Sequence, residues 1–434
     1  TVYGTDPTDP QSLSMRLKIA LVYEQHLNDL EAALRANQAI LDIDAEQAQA
    51  IESLERLYLA LGREEDLLKV LETKLSLAES SEDQRSIQSR IGSIHEQLGH
   101  HDQAIAAYEA VLATGVEDLS VLASLDRMYL GLDRHADLAD IIRRELAQLD
   151  EADGDTRAGF LLRLGILYQE HLGDAREAID DFRQVLEIRS DAADARARLE
   201  GWLEDEELRN DVATILLPVY EGLEAWPQLV QCLEIQAAST EDPVGRVELL
   251  LRAGAILAQA IGDSGRAFDA YSRAFREDPE NEVAPEALES IAAIEDRWTD
   301  FAALYEEAVA KDLPSHLMQR LLAKLATLYD TRLSDPQKAV HCYQRAVDID
   351  PDNEEALNAL ERLYQRDEKW SELLEVYRRK VSLTSDPELR EQLRFQIAYL
   401  QEEMLAQPGE AIATYSEILA DDDGGEGSAS RIAW

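Results

Sequence analysis

The segment His95-Glu96-Gln97-Leu98-Gly99-His100-His101 comes nearest in the sequence to a metal-hydrolase signature. That chemistry needs two histidines four residues apart on one helical face, with a Glu between them as general base. Here position 99 is Gly and the next His is five residues on, so the two rings leave different faces. Gly99 falls where a helix is expected to stop. His26, His135, His171, His316 and His341 are scattered without ligand spacing. There is no GxGxxG after a strand, no GxxxxGK[ST] and no GxSxG. Cys232 and Cys342 form no CxxC pair and read as small buried apolar side chains. The run Asp421-Asp422-Asp423 lacks the spacing of a calcium loop. Carboxylates are too numerous to single out a general acid or base, so the expectation is no catalytic residue, no metal and no cofactor.

Arginines recur in a different way. Arg56, Arg127 and Arg362 each follow an acid inside similar runs: Leu54-Glu55-Arg56-Leu57-Tyr58, Leu125-Asp126-Arg127-Met128-Tyr129 and Leu360-Glu361-Arg362-Leu363-Tyr364. Guanidinium forks in one register form a ladder able to grip the carboxylate or backbone carbonyls of a bound peptide. The competing reading is a salt bridge, to Glu55, Asp126 or Glu361 or to an adjacent element.

The elements that position these residues repeat. Trp226, Trp298 and Trp370 are 72 residues apart, as are Ala267, Ala339 and Ala411, and Tyr271, Tyr343 and Tyr415. Each 72-residue unit divides into two classes of half. One reads like Leu322 to Asn353 and the other like Ala356 to Ser385. In both, apolar residues at three- and four-residue spacing are broken once by polar residues, which is a pair of amphipathic helices joined by a turn. Small residues recur in the first helix (Gly92, Gly165, Gly254, Ala326, Ala398) and in the second (Ala104, Ala178, Ala267, Ala339). An aromatic follows four residues after the second set, at Tyr108, Phe182, Tyr271, Tyr343 and Tyr415, and is expected to fill the space between neighbouring hairpins. The tryptophans read as hairpin packing, not as a cofactor box.

The order Tyr329, Ala339, Tyr343, Ala346, Pro351 resembles the tetratricopeptide repeat, and the likeness extends over roughly residues 13–420. It implies an all-α fold, a right-handed α-solenoid of about eleven or twelve helical hairpins, each covering the apolar face of the next. The alternation of classes looks like that of large bacterial multi-repeat proteins. Halves beginning at Tyr23, Tyr168 and Tyr329 carry one extra residue between their helices, as in His171-Leu172-Gly173-Asp174. Halves of the second class put an acid where the family has a small residue, which is expected to loosen their packing.

Five segments are expected: 1–12, the tail of a preceding repeat; 13–195, an array; 196–212, an insertion of helix length containing Trp202; 213–420, a second array; and 421–434, a linker or a further repeat. Thr5–Pro10 resembles Thr384–Pro387, and Ile432 falls at the register of Leu360, so Ser428–Trp434 reads as the beginning of another hairpin. The competing reading makes Asp421–Gly427 a flexible linker.

The resemblance places first helices along a concave face suited to an extended peptide or a partner helix. Mapped onto this chain, it puts Leu21, Gln25, Ser93, Gln97, Ile166, Glu170, Gln259, Thr327, Phe395 and Tyr399 toward that face, beside the three arginines. Of 434 residues, 88 are Asp or Glu and 42 are Lys or Arg, a formal charge of −46. Nucleic acid and anionic membrane surfaces are excluded as first-choice partners, because binding them needs a basic face. No apolar run approaches the roughly 18–20 residues that span a bilayer. The expected partner is a protein or peptide, basic by charge complementarity. The absence of a visible signal peptide favours the cytoplasm, although the sequence opens on Thr1. The expected function is a non-enzymatic interaction scaffold. The alternative is a structural segment of a larger repeat protein, or a spacer that associates with itself through the array ends.

Overall fold

The computed structural model describes residues 8–150 and 152–422. Among these residues the secondary structure is helical throughout, with no strand. The readings made for residues 1–7 and 423–434, Ser428–Trp434 included, lie outside the described residues. The chain divides into two compact units, Thr1–Gly201 and Trp202–Trp434.

The first unit holds α1 (Pro10–Gln25), α2 (Leu30–Leu41), α3 (Ala48–Leu61), α4 (Glu64–Leu77), α5 (Ser81–Gln97), α6 (His101–Leu112), α7 (Leu119–Gly131), α8 (His135–Gln148), α9 (Gly154–Leu167), α10 (Ala175–Ile188) and the short α11 (Ala193–Glu200). The second holds α12 (Arg209–Gly222), α13 (Trp226–Ser239), α14 (Pro243–Ile256), α15 (Ser264–Glu277), α16 (Val283–Glu295), α17 (Trp298–Val309), α18 (Ser315–Thr331), α19 (Pro336–Ile349), α20 (Glu354–Arg366), α21 (Trp370–Leu383), α22 (Pro387–Tyr399) and α23 (Pro408–Asp422). Each helix packs chiefly on its chain neighbours, which is the contact pattern of an α-solenoid. The described residues make eleven helical hairpins, five in the first unit and six in the second, with α11 unpaired.

Residues 196–212, set apart in the sequence as an insertion, hold the end of α11, the turns of 201–208 and the start of α12. Ala195 and Leu199 of α11 are buried and occupy the register of Ala356 and Leu360 in α20. α11 is thus the opening of a second-class first helix that stops after two turns.

The hairpin turns follow from local chemistry. At the start of second helices, Asp29, Asp174, Asp263 and Asp335 each accept a hydrogen bond from the N–H three residues on, at 3.0–3.2 Å. The residue before each Asp has a positive φ and ends the preceding turn: Asn28, Gly173, Gly262 and Ser334. The extra residue is taken up before that point, as a single π turn at Tyr168–Leu172. The same device occurs at Leu257–Ile261 and Leu400–Met404, two hairpins in which the sequence reading did not register the insertion.

One packing expectation is refined. Tyr108, Phe182 and Tyr271 pack inside their own hairpin, against the small residue of the partner helix, and the Tyr108 hydroxyl also reaches Ser124 of the next hairpin. A Cβ on Gly92 would lie 2.6 Å from the Tyr108 ring, one on Gly165 2.6 Å from Phe182, and one on Gly254 2.9 Å from Tyr271. These glycines permit an approach that a methyl group forbids.

Candidate functional site

The first helices carry the candidate residues. In the first unit, Leu21 and Gln25 lie on α1, Arg56 on α3, Ser93 and Gln97 on α5, Arg127 on α7, Ile166 on α9, and Glu170 in the π turn that follows it. In the second, Gln259 lies in the π turn after α14, Thr327 on α18, Arg362 on α20, and Phe395 and Tyr399 on α22. Ser93, Ile166 and Phe395 are half-buried and the others are exposed.

Several are already engaged. Arg56 reaches Glu24 at 3.3 Å, Arg127 reaches Glu96 at 3.1 Å, and Arg362 reaches Asp330 at 3.2 Å. Each acid belongs to the preceding hairpin, 31 or 32 residues earlier. The arginine ladder is therefore a row of inter-hairpin ion pairs, and a ligand carboxylate would have to exchange with those acids. Glu170 is held by Arg198 at 2.9 Å, the Thr327 hydroxyl donates to the Ala323 carbonyl at 2.9 Å, and Phe395 tilts against the Tyr415 ring.

The acids beside the arginines face the other way along the array. Glu55 binds Lys74 of its own hairpin at 2.7 Å and Arg90 of the next. Asp126 binds Arg163 at 2.8 Å, and Glu289, in the register of Glu55, binds Lys324 at 2.8 Å. Glu361 binds Lys380 and accepts from the Tyr377 hydroxyl. Burial pushes the Glu55 carboxyl up, but Lys74 and Arg90 together outweigh it and hold the group below the usual carboxylate range. In α3 and α7 the acid and the arginine thus tie the helix forward and backward, whereas Glu361 of α20 is held within its own hairpin. The sequence held this signal, an acid followed 35–37 residues later by a base, but it was read as a departure from a small-residue pattern.

One concavity lies between α1 and α3, a cavity of about 970 Å³ bordered by Leu13, Leu17, Lys18, Leu21, Glu52 and Arg56. It joins two candidate residues, Leu21 and Arg56, to others the sequence did not single out. A second, of about 310 Å³, lies among α20, α21 and α22 and is bordered by Leu357, Glu361, Lys380 and Leu393. It contains none of the candidate residues.

The histidine segment is part of the hairpin. α5 ends at Gln97, and Gly99 turns the chain with φ +72°. Glu96 accepts from the Tyr108 hydroxyl at 3.0 Å and from Arg127, so its carboxylate is committed to packing. Burial lowers the pKa of His95, and the nearby His100 adds to the effect. His135 and His171, scattered in the sequence, stack with ring centroids 3.9 Å apart. Cys232 and Cys342 are buried, and burial pushes the Cys342 thiol up to about 11, far from a reactive thiolate. Trp298 is buried with the Arg332 guanidinium over its ring at 4.6 Å, while Trp226 and Trp370 are half-buried at the starts of α13 and α21.

Comparison with known proteins agrees with this architecture. Models of the tetratricopeptide repeat match residues 86–113, 160–192, 319–353 and 356–391. No curated protein matches the chain. Among solved structures, the Naa15/Naa10 complex bound to HypK-THB has 15% identity over 93% of this chain and 67% of that one, with a TM-score of 0.28. Yeast Tom70 has 14% identity over 94% and 99%, with a TM-score of 0.25. YrrB, described as a tetratricopeptide protein with an unusual peptide-binding site, has 14% identity over 43% and 90%, with a TM-score of 0.27. The matched segments coincide with the hairpins α5–α6, α9–α10, α18–α19 and α20–α21. Tetratricopeptide repeats are thus recognised at four hairpins of this all-α repeat chain.

Proposed function

We propose that this scaffold is non-catalytic and holds an extended or helical segment of a partner protein against the first helices of its first unit. The observation that carries this reading is the cavity between α1 and α3, of a size to take a few side chains. Leu13, Leu17 and Leu21 give it an apolar floor, and Lys18, Glu52 and Arg56 give it a polar edge. Exposed Gln25 and Gln97 and half-buried Ser93, on the first helices α1 and α5, add amide and hydroxyl groups. Such groups bind backbone without demanding a charge. The excess of acids selects basic partners at the stage of encounter.

A displayed library of random peptides, panned against the whole folded protein, tests the reading. Selected peptides are expected to be enriched in Lys or Arg flanking an apolar residue. Their affinity is expected to fall at least tenfold on Leu21→Asp, about 1.4 kcal/mol. Peptides that bind the variant as well as the wild type defeat the proposal.

A further inference from the structure

Two helices expose what their counterparts bury. On α1, Met15, Ile19 and Val22 recur at i, i+4 and i+7 and are 57%, 48% and 44% exposed. The residues in the register of Ile19 in the other five hairpins of that class are Ile91, Leu164, Ala253, Leu325 and Ile397, and none exceeds 7%. On α23, Ile412 and Leu419 are 66% and 60% exposed. The register of Ile412 is held elsewhere by Ile105, Ile179, Phe268 and Val340, again at 7% or less.

Interior hairpins show what ordinarily covers these faces. Ile87, Ile91 and Ile94, in the registers of Met15, Ile19 and Val22, share a core with Leu67, Leu68 and Leu71 of α4, the second helix of the preceding hairpin. Phe268 and Phe275, in the registers of Ile412 and Leu419, meet the following hairpin: Arg297 lies over Phe268 at 3.9 Å, and Phe275 and Tyr305 have ring centroids 5.0 Å apart. The face on α1 is thus shaped for a second helix arriving from before it. α23 is a second helix whose forward face is open.

Charge matches the two faces. In a chain of formal charge −46, α1 carries Arg16 and Lys18 on the flanks of its stripe, and its one acid, Glu24, is paired with Arg56. α23 contains acids and no base, and the Tyr415 hydroxyl holds the Glu402 carboxylate near its stripe at 3.2 Å.

We infer that the α23 face of one molecule docks on the α1 face of a second copy, so that copies join head to tail by the same helix-on-helix packing that joins hairpins within each unit. The contact is heterologous, using two different patches, and does not saturate at a dimer. The junction sets two hairpins of the first class side by side. It is independent of the groove reading, since it needs no peptide.

Sedimentation velocity of the whole chain over a wide concentration range tests it. The weight-average mass of the wild type is expected to climb past that of a dimer. Ile19→Asp alone and Ile412→Asp alone are each expected to remain monomeric, with unchanged helical circular dichroism because both positions are exposed. The deciding sample is an equimolar mixture of the two variants. Each keeps one intact face, so the mixture is expected to form dimers and nothing larger. A wild type that stays monomeric at every concentration overturns the inference and leaves the faces to this chain's own residues 1–7 or 423–434, or to another polypeptide. Association lost in only one variant, or a mixture that stays monomeric, overturns it too.

Discussion

Glu145 and Asp181 are the side chains least at home in their surroundings. Each is buried, and each has a carboxylate oxygen, Oε2 and Oδ2 respectively, without a hydrogen-bond partner. Burial pushes Glu145 up to about 7, Asp126 adds to the rise, and Arg163 opposes it. Burial likewise pushes Asp181 up to about 7, against Arg143 and with help from Asp180 and Glu177. A carboxyl raised in the folded state binds its proton more tightly there than in the unfolded chain. Its contribution to stability is complete below the ordinary value near 4 and is lost as pH rises through about 7. Glu145→Gln with Asp181→Asn is therefore expected to raise the Tm at pH 8. Removing an uncompensated buried charge on the order of 1 kcal/mol corresponds to about 2–4 °C for a unit of this size. At pH 5 the wild-type carboxyls are largely neutral and the gain should shrink toward zero. Thermal melts at the two pH values check this, and an equal gain at both would mean that the amides act by packing alone. Nothing in the sequence distinguishes these two acids from the many at the surface, because what matters is how deeply a neighbouring helix covers them.

Helices and turns were far more legible than single acids. The small-residue register and the aromatic four residues after Ala104, Ala178 and Ala267 mark the first-class hairpins, because a close helix crossing demands both. Periodicity alone did not say which gap the aromatic fills, since a side chain on the buried face reaches its own partner helix and the next hairpin in similar directions. The glycines settle it. Gly165→Ala places a methyl group against the Phe182 ring, so it is expected to cost about 1–3 kcal/mol in urea unfolding. Trimming the ring with Phe182→Leu in the same chain should recover part of that loss, although Phe182→Leu alone is destabilising. Additive losses would mean that the two residues do not share one space. The candidate groove was less visible. Leu21 follows from the resemblance and Arg56 from its recurring register, whereas Leu13, Leu17, Lys18 and Glu52 border the same cavity and follow only from how α1 lies on α3. The arginine ladder is legible as a register, and of its two readings the salt bridge to an adjacent hairpin is the one the structure shows; which acids take part is not legible, because they sit 31 or 32 residues away.

For the molecule as a whole, the 88 acids against 42 bases set a repulsion that the folded arrays must withstand. The many ion pairs counter it locally, including the forward and backward ties of α3 and α7. Pairs of this kind are mostly exposed, and each is worth only about 0–1 kcal/mol. They also consume the bases, so the uncompensated charge is almost entirely negative and lies closer together in the folded units than in the extended chain. Salt weakens both terms. The attractions act over a few ångströms between touching groups, whereas the repulsion is summed over many groups farther apart, where screening is most effective. Lowering the Debye length from about 30 Å at 0.01 M salt to about 8 Å at 0.15 M should therefore remove more repulsion than attraction. The Tm at neutral pH is expected to rise over that interval, with most of the gain complete before 0.15 M. Melts in sodium chloride check the direction. A Tm that falls with salt would mean that the inter-hairpin ion pairs, rather than the net charge, dominate the electrostatics of the arrays.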